Sequence, residues 1–262
     1  MIGVFDSGVG GLTVARAIEQ ALPELPLVYF GDIARTPYGS KSPDTIRACS
    51  CRNTEFLLAQ GAEILVIACN TAASVASDLL RRQYPVPVFE VITPAIEQAL
   101  QQSARRRIGV IGTRATILSE VYRNGLLSRD PDSEVFCQAC PLLVPLVEED
   151  WLDQRETKMI LRRYLHPLKR QDIDTLILGC THYPLLHDLI HQRMGRRVRL
   201  IDSSRAVAAR LADTLVADPV LYQRLRSTAR PSRYYVSDRT EAAARMANRI
   251  FGRPMTLEKV EV

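Results

Sequence analysis

The sequence is poor in aromatic residues, with a single tryptophan, and it contains no long apolar run. No segment approaches the roughly 18 consecutive apolar residues that a membrane-spanning helix requires, so we expect no membrane partner. The apolar sequence begins at Ile2 without a basic flank, which is not the pattern of a signal peptide, so we expect a cytoplasmic location. The hydrophobic fraction of 47% still provides enough apolar side chains for a substantial core.

Neither sign of charge dominates, since 34 Lys and Arg residues are balanced by 29 Asp and Glu residues and the formal net charge is only +5. The basic residues are dispersed, with residues 105–107 and 196–197 as the tight clusters. Clusters of this size beside strands and turns are typical of solvated surface, so we expect no nucleic-acid partner. A mildly basic surface also suits an anionic small substrate, because its electrostatic field attracts such a molecule.

The cysteines do not form the pattern of a disulfide framework or a metal site. Six occur, and a cytosolic chain of this length rarely uses cysteine for structural disulfides. Cys137 and Cys140 have the C-x-x-C spacing of metal and redox sites, but no second such pair and no histidine pair lies near them. We interpret them, like Cys49 and Cys51, as structural thiols and expect no metal. No lysine lies in a context typical of a Schiff base, so we also expect no cofactor.

Two apolar stretches each end on a cysteine that is followed by polar residues and a predicted helix. The polar residues at these two points are Cys69, Asn70 and Thr71, and Cys180, Thr181 and His182. The start of a helix stabilises a thiolate, so we expect the pKa of both thiols to be lowered from about 8.5. Two reactive thiols in one chain indicate a pair that acts together.

The chain alternates apolar strands with helices, which is typical of parallel sheets covered on both faces. The pattern begins again after about residue 93, and Cys180 lies 111 residues after Cys69, which indicates an internal duplication. We therefore predict an α/β fold with two similar lobes, each a mostly parallel sheet flanked by helices, with the active site in the cleft between them. Residues 1–93 and 205–262 are expected to form the first lobe and residues 94–204 the second.

Hydrophobic periodicity also predicts local elements in the second half of the chain. It predicts one helix over residues 113–127, a two-residue strand at 135–136 and a helix over 142–151. A further helix is predicted over residues 184–194, close behind Cys180.

In open parallel sheets, ligands bind at the carboxyl ends of the strands, and four polar segments lie at or near such positions. They are Asp6 and Ser7; Tyr38, Gly39 and Ser40; Cys69, Asn70 and Thr71; and Cys180, Thr181 and His182. Their backbone N–H groups and hydroxyls can hold a carboxylate. Inversion at a carbon atom requires a base on one face and an acid on the other, which a thiolate and a thiol provide near neutral pH. Asp6 and His182 are the neighbouring groups that can tune the two thiols.

Gly8, Gly10 and Gly11 follow the first predicted strand. The full G-x-G-x-x-G spacing and a phosphate-binding lysine are missing, so these glycines do not match a nucleotide-binding loop. We interpret them as a tight turn that supports Asp6 and Ser7.

Five segments of the sequence resemble the glutamate racemases, which belong to the cofactor-independent aspartate/glutamate racemase superfamily. The segments are residues 5–14, 31–40, 68–72, 143–148 and 179–185. They occur in the expected order over nearly the whole chain. The resemblance implies interconversion of L- and D-glutamate without a cofactor, which supplies D-glutamate for peptidoglycan synthesis.

The resemblance also implies the roles of individual residues. It implies that Cys69 and Cys180 are the two catalytic bases and that Asp6 and His182 assist them. Together with the strand-end positions, it implies substrate contacts by Asp6, Ser7, Tyr38, Gly39, Ser40, Asn70, Thr71, Glu148, Thr181 and His182. Glu148 is assigned through the resemblance alone.

Two alternatives to glutamate racemisation remain open at the level of the sequence. One is an aspartate racemase or a racemase of broader specificity in the same superfamily. The other is a partner-binding protein, since some glutamate racemases inhibit DNA gyrase. Such binding would need a basic or extended surface element, and with the first strand predicted at Ile2 we expect no N-terminal extension of that kind. The resemblance leaves the oligomeric state open, with a homodimer as one assembly.

Overall fold

The computed structural model describes residues 1–227 and 230–262 and contains two β-sheets flanked by helices. Within these residues the strands are β1 Ile2–Asp6, β2 Leu27–Gly31, β3 Ile64–Ile67, β4 Val88–Glu90, β5 Arg107–Gly112, β6 Glu134–Ala139, β7 Thr175–Gly179, β8 Arg199–Asp202, β9 Arg233–Val236 and β10 Glu258–Lys259. The α-helices are α1 Leu12–Ala21, α2 Pro43–Ala59, α3 Asn70–Gln83, α4 Ile92–Gln102, α5 Arg114–Leu118, α6 Val121–Leu127, α7 Leu143–Glu148, α8 Arg155–Arg170, α9 His187–Met194, α10 Ser203–Ala217, α11 Pro219–Ser227 and α12 Glu241–Phe251. Short 3₁₀ turns cover Ile33–Arg35, Tyr38–Ser40 and Tyr183–Leu186.

The strands pair in two separate parallel sheets. One sheet has the order β10-β9-β2-β1-β3-β4 and the other has the order β6-β5-β7-β8. The predicted fold class, α/β with two parallel sheets flanked by helices, is therefore confirmed. The chain leaves the first sheet after β4 and returns to it at β9, which pairs with β2. The division of residues between two lobes stays a prediction, because α10 packs against both α1 and α4.

The central strands are mostly apolar, as is typical of strands with helices on both faces. Every residue of β1, β2, β3 and β7 is buried. In the first sheet α1 packs beside α10 and α12, and α2 packs beside α3. Parallel strands place all their carboxyl ends at one edge of a sheet, so the residues that follow β1, β3 and β7 lie at the edges that form the site.

The single helix predicted over residues 113–127 is wrong. Two helices, α5 and α6, occupy this range, and Glu120 between them has a φ of 55°. That left-handed backbone conformation cannot continue a right-handed helix. The helix predicted over 142–151 is also shorter, because α7 ends at Glu148 and Asp150 has a φ of 61°.

Two further local predictions differ from the structure. β6 has six residues rather than two, because its whole length pairs with β5 in parallel register. The helix predicted close behind Cys180 begins only at His187. The intervening backbone is tightened by hydrogen bonds from Tyr183 N to the Cys180 carbonyl and from Leu185 N to the His182 carbonyl, which form a 3₁₀ turn.

Sequence periodicity did not predict β10. This strand has only two residues, both exposed, and it pairs with β9 at the edge of the first sheet. Within the described part of the chain, no helix combines the length and the apolar character needed to cross a bilayer.

Candidate active site

The two cysteines singled out by the sequence lie at the facing edges of the two sheets. Cys69 follows β3 in the first sheet and Cys180 directly follows β7 in the second, and each is 5% exposed. Hydrogen bonds join the two edges: the Thr13 hydroxyl donates to the Thr181 carbonyl at 3.0 Å, and the Thr181 hydroxyl donates to Asp6 Oδ1 at 3.5 Å. The residues after β1 and β7 therefore form one buried polar cluster.

Cys69 lies in an environment that favours the neutral thiol. It caps α3, since its sulfur accepts a hydrogen bond from Ala72 N at 3.4 Å, and its thiol donates to Ser7 Oγ at 3.5 Å. Burial, followed by the negative charges of Asp6 and Cys180, nevertheless raises the pKa of Cys69 to about 12. The expectation of a lowered pKa at this helix start is therefore wrong, because desolvation of the thiolate outweighs the hydrogen bonds that favour it.

Cys180 belongs to a chain of three polar side chains. Its sulfur lies 3.8 Å from His182 Nδ1, and His182 Nε2 lies 3.1 Å from Glu148 Oε1. Burial alone would lower the pKa of His182, but the hydrogen bonds with Cys180 and Glu148 outweigh it and raise that pKa to about 10. The raised pKa favours the protonated imidazole, whose Nδ1 lies 3.8 Å from the Cys180 sulfur. No α-helix begins directly after Cys180, where the sequence predicted one, and the side chain that contacts its sulfur is His182.

The glycine turn after β1 places Asp6 and leaves room for His182. Gly8 N donates to Asp6 Oδ2 at 3.0 Å, and the Tyr29 hydroxyl donates to the Gly8 carbonyl at 2.6 Å. Burial raises the pKa of Asp6, although the charge of His182 and backbone N–H groups oppose that rise. A Cβ atom at Gly10 would lie only 2.5 Å from His182 Cε1 and Nδ1, so the imidazole occupies the space that any other residue would fill.

Polar groups from both sheets line the site beside Cys69. The Asn70 amide donates to the Tyr122 hydroxyl at 2.8 Å, while its buried Oδ1 has no hydrogen-bond partner among the described residues. The Thr71 hydroxyl lies 2.9 Å from that of Thr113 and 3.3 Å from that of Thr116. These hydroxyls and the unpaired amide oxygen can bind the polar groups of a small ligand.

The residues Thr113, Thr116 and Tyr122 were missed by the sequence analysis. Thr113 directly follows β5, the central strand that pairs with β6 and β7. The sequence of β5 resembles that of β1, and Asp6 ends β1. The internal duplication was therefore the signal that could have identified a site residue after β5.

The loop with Tyr38, Gly39 and Ser40 contributes to the site mainly through its backbone. The Tyr38 hydroxyl is buried and donates to Asp32 Oδ2 at 2.6 Å, and the Ser40 hydroxyl is exposed and donates to the Pro37 carbonyl at 3.3 Å. Gly39 lies against Thr113, which follows β5 of the second sheet, since a Cβ atom at Gly39 would be 3.0 Å from Thr113 Cβ. The structure thus brings Gly39 next to Thr113, while the Tyr38 and Ser40 hydroxyls already donate to groups of the same loop.

The remaining cysteines stay outside this cluster of polar groups. All six cysteines are free thiols, and Cys140 is buried with its thiol donating to the Gln138 carbonyl at 3.6 Å. Burial raises the pKa of Cys140 and of Cys137. Among residues 1–227 and 230–262, no group of three or more His, Cys, Asp or Glu side chains is arranged to hold a metal ion.

Comparison with known proteins gives consistent matches over the whole chain. A sequence profile of the Asp/Glu/Hydantoin racemase family matches residues 2–211. The glutamate racemase of Syntrophus aciditrophicus is 44% identical over 265 residues, which cover 100% of this chain and 96% of that protein. The crystal structure of a glutamate racemase isoform from Bacillus anthracis superposes with a TM-score of 0.94 at 36% identity, covering 100% of this chain and 97% of that one. The Francisella tularensis glutamate racemase, solved in complex with D-glutamate, has a TM-score of 0.89 at 34% identity, covering 99% and 97% of the two chains.

Proposed function

The chain belongs to the Asp/Glu/hydantoin racemase family and is an amino-acid racemase, and we propose that it interconverts L- and D-glutamate through Cys69 and Cys180. The observation that carries this proposal is the pair of strand-end thiols, one from each sheet, on a shared polar cluster. Each thiol also has its own ionisable neighbour, Asp6 for Cys69 and His182 for Cys180. A pair of groups of one kind on opposite sides of a substrate is what inversion at Cα requires.

The proposed reaction removes one proton from Cα and adds another proton to the opposite face of the same carbon. The Cys180 thiolate, stabilised by the His182 imidazolium, takes the proton from Cα and becomes a thiol. The Cys69 thiol, whose pKa burial raises, gives its proton to the opposite face of Cα and becomes a thiolate. The substrate then has the inverted configuration, and the same two steps in the reverse order convert the other enantiomer.

The polar groups of the cleft suit a small dicarboxylate. The hydroxyls of Thr71, Thr113 and Thr181 and the backbone N–H groups at the start of α3 offer hydrogen bonds to carboxylate oxygens. Glutamate is proposed as the substrate because the matched relatives are named glutamate racemases and one of them was solved with D-glutamate. A role in peptidoglycan synthesis remains a prediction from the family resemblance, and a cytoplasmic location remains a prediction from the lack of a signal-peptide pattern at Ile2.

The activity is tested by circular-dichroism polarimetry of the purified protein with L-glutamate and, in parallel, with L-aspartate, without added cofactor. Loss of optical rotation with glutamate alone supports the proposal. Loss with aspartate alone would retain the family chemistry and replace the substrate. Stable rotation with both amino acids would contradict the proposed function.

The two-thiol mechanism is tested with Cys69→Ala and Cys180→Ala. Each substitution is expected to lower racemisation by at least about a thousandfold, because an acid or base is missing from one face of Cα. Cys51→Ala removes a half-buried thiol on α2, so its activity should equal that of the unsubstituted protein. In deuterated water the product should gain deuterium at Cα. Near-normal turnover by either active-site variant, or inversion without solvent exchange, would rule out this mechanism.

A further inference from the structure

The loop between β2 and α2 contains a buried carboxylate that the proposed chemistry does not use. Asp32 has no exposed surface and accepts three hydrogen bonds. The donors are the Tyr38 hydroxyl at 2.6 Å, Arg35 Nη1 at 2.9 Å and the Ser237 hydroxyl at 3.0 Å. A buried carboxylate with three donors fixes all of them strongly, because breaking one bond leaves a desolvated charge without its partner.

These donors come from separate parts of the chain. Arg35 and Tyr38 belong to the two 3₁₀ turns of the loop, whereas Ser237 directly follows β9 at the far end of the sequence. The Ser237 hydroxyl also accepts a hydrogen bond from Ala34 N at 2.9 Å. Asp32 therefore ties both turns of the loop to the strand that returns to the first sheet.

The loop held in this way presents Gly39 to the second lobe. A Cβ atom at Gly39 would lie 3.0 Å from Thr113 Cβ, and the Thr113 hydroxyl lies 2.9 Å from that of Thr71. The Tyr38 ring anchors this contact from the other side, since its hydroxyl also accepts a hydrogen bond from Asn53 Nδ2 at 3.2 Å. The position of the loop therefore determines where the wall of the cleft lies next to Thr71.

We propose that Asp32 is a positioning residue of the active site. Through Tyr38 and Ser237 its carboxylate holds Gly39 against Thr113 and so fixes the wall of the cleft on which substrate binds. This inference rests on the proposed function for its catalytic consequence. It also assigns a role to the C-terminal part of the chain, which lies outside the two thiol segments.

The primary test is the steady-state kinetics of Asp32→Asn with both glutamate enantiomers. The substitution keeps the size of the side chain but removes its charge, and its NH2 group replaces the acceptor either of Tyr38 or of both Arg35 and Ser237. We expect KM to rise about tenfold while kcat falls less than about threefold, because the loop moves and the thiols do not. Asp174→Asn is the matched control. Asp174 is also a buried carboxylate, accepting from Ser103 Oγ and Arg105 N at 2.6 Å, but it precedes β7 at the end opposite Cys180. The Asp174→Asn substitution should lower the melting temperature without raising KM.

A double-mutant cycle separates this role from direct contact between Tyr38 and substrate. If Tyr38 acts through Asp32, the combined Asp32→Asn and Tyr38→Phe variant should have nearly the KM of Asp32→Asn alone. If the Tyr38 phenol binds substrate itself, the two increases in KM should multiply. Multiplied effects, or an unchanged KM in Asp32→Asn, would overturn the proposal.

A second readout does not depend on racemase activity. Cys69 is only 5% exposed and lies two residues before Thr71, whose hydroxyl contacts Thr113. A loop displaced from Thr113 should therefore make the Cys69 thiol more accessible to iodoacetamide. Mass spectrometry should detect faster alkylation of Cys69 in Asp32→Asn than in Asp174→Asn. Faster alkylation in a protein that racemises neither amino acid would keep the positioning role and reject the proposed function. Equal alkylation rates in the unsubstituted protein, Asp32→Asn and Asp174→Asn would reject the positioning role.

Discussion

The contact between Gly10 and His182 makes Gly10→Ala an informative perturbation. An added Cβ atom would lie 2.5 Å from His182 Cε1, His182 Nδ1 and Thr181 Oγ1. Ordinary contact begins at 3.4 Å, so the imidazole ring must move by about 0.9 Å. The ring cannot move freely, because His182 Nε2 lies 3.1 Å from Glu148 on its other side. Movement of the ring therefore changes its distance to Glu148, to the Cys180 sulfur or to both.

Two magnitudes follow from this geometry. Forcing an extra methyl group into a packed site costs about 1–3 kcal/mol of the free energy of unfolding. A catalytic group displaced by about 1 Å loses on the order of a hundredfold in rate, because proton transfer depends steeply on its position. We therefore expect kcat/KM of Gly10→Ala to fall about a hundredfold, measured by polarimetry with glutamate and normalised to the folded fraction.

Gly109→Ala is the matched control for overpacking. Its added Cβ atom would also meet an atom at 2.5 Å, but that atom is Cδ1 of Ile173 in the core beneath β5. This variant should lose stability by a similar amount and keep its activity per folded molecule. If Gly10→Ala retained normal turnover while Gly109→Ala lost stability, the packing of His182 against Gly10 would have no catalytic role.

Further predictions concern His182 and its neighbours. Glu148→Gln should lower the pKa of His182 from about 10 toward its usual value of about 6.5, because the hydrogen bond with Glu148 raises it. The alkaline limb of the pH profile of kcat/KM should move to lower pH, and an unchanged limb would exclude His182 as the group that titrates there. The raised pKa also makes His182 a source of stability that is complete below about pH 6.5 and is lost as pH rises toward 10. Thermal unfolding measured between these pH values should therefore show a falling melting temperature, with a smaller slope in His182→Gln; equal slopes would contradict this linkage.

The sequence was informative about the sheets because their strands are short, continuous and apolar. Segments such as β3 and β7 can be recognised as buried parallel strands from their local sequence, without knowledge of distant contacts. The same regularity placed Cys69 and Cys180 at strand ends and hence near one another. The break at Glu120, whose backbone is left-handed, was not predictable from helix periodicity, because the spacing of apolar residues carries no information on the φ angle of one residue.

The electrostatics of the site depended on contacts that sequence spacing does not contain. The position of Cys69 before a helix predicted a lowered pKa, but burial and the nearby Asp6 carboxylate raise it. The charge of His182 depends in the same way on Glu148, which is 34 positions away along the chain. Tyr38 was predicted to contact substrate, which stays a prediction, and its hydroxyl is hydrogen-bonded to Asp32. Local patterns identified the residues, and the tertiary fold determined their ionisation.

The unequal surroundings of the two thiols constrain the kinetics of the proposed reaction. Burial and Asp6 favour the neutral Cys69 thiol, whereas the Cys180 sulfur lies beside His182, so the enzyme has a preference for a protonated Cys69. Enantiomers have equal free energies in an achiral solvent, so kcat/KM must be equal in the two directions whatever that preference is. The asymmetry can therefore affect only kcat and KM separately, with both parameters changing by the same factor between L- and D-glutamate. Under the proposed mechanism, the unequal surroundings of Cys69 and Cys180 therefore affect how L- and D-glutamate differ in kcat and in KM, while the equilibrium between the enantiomers is unaffected.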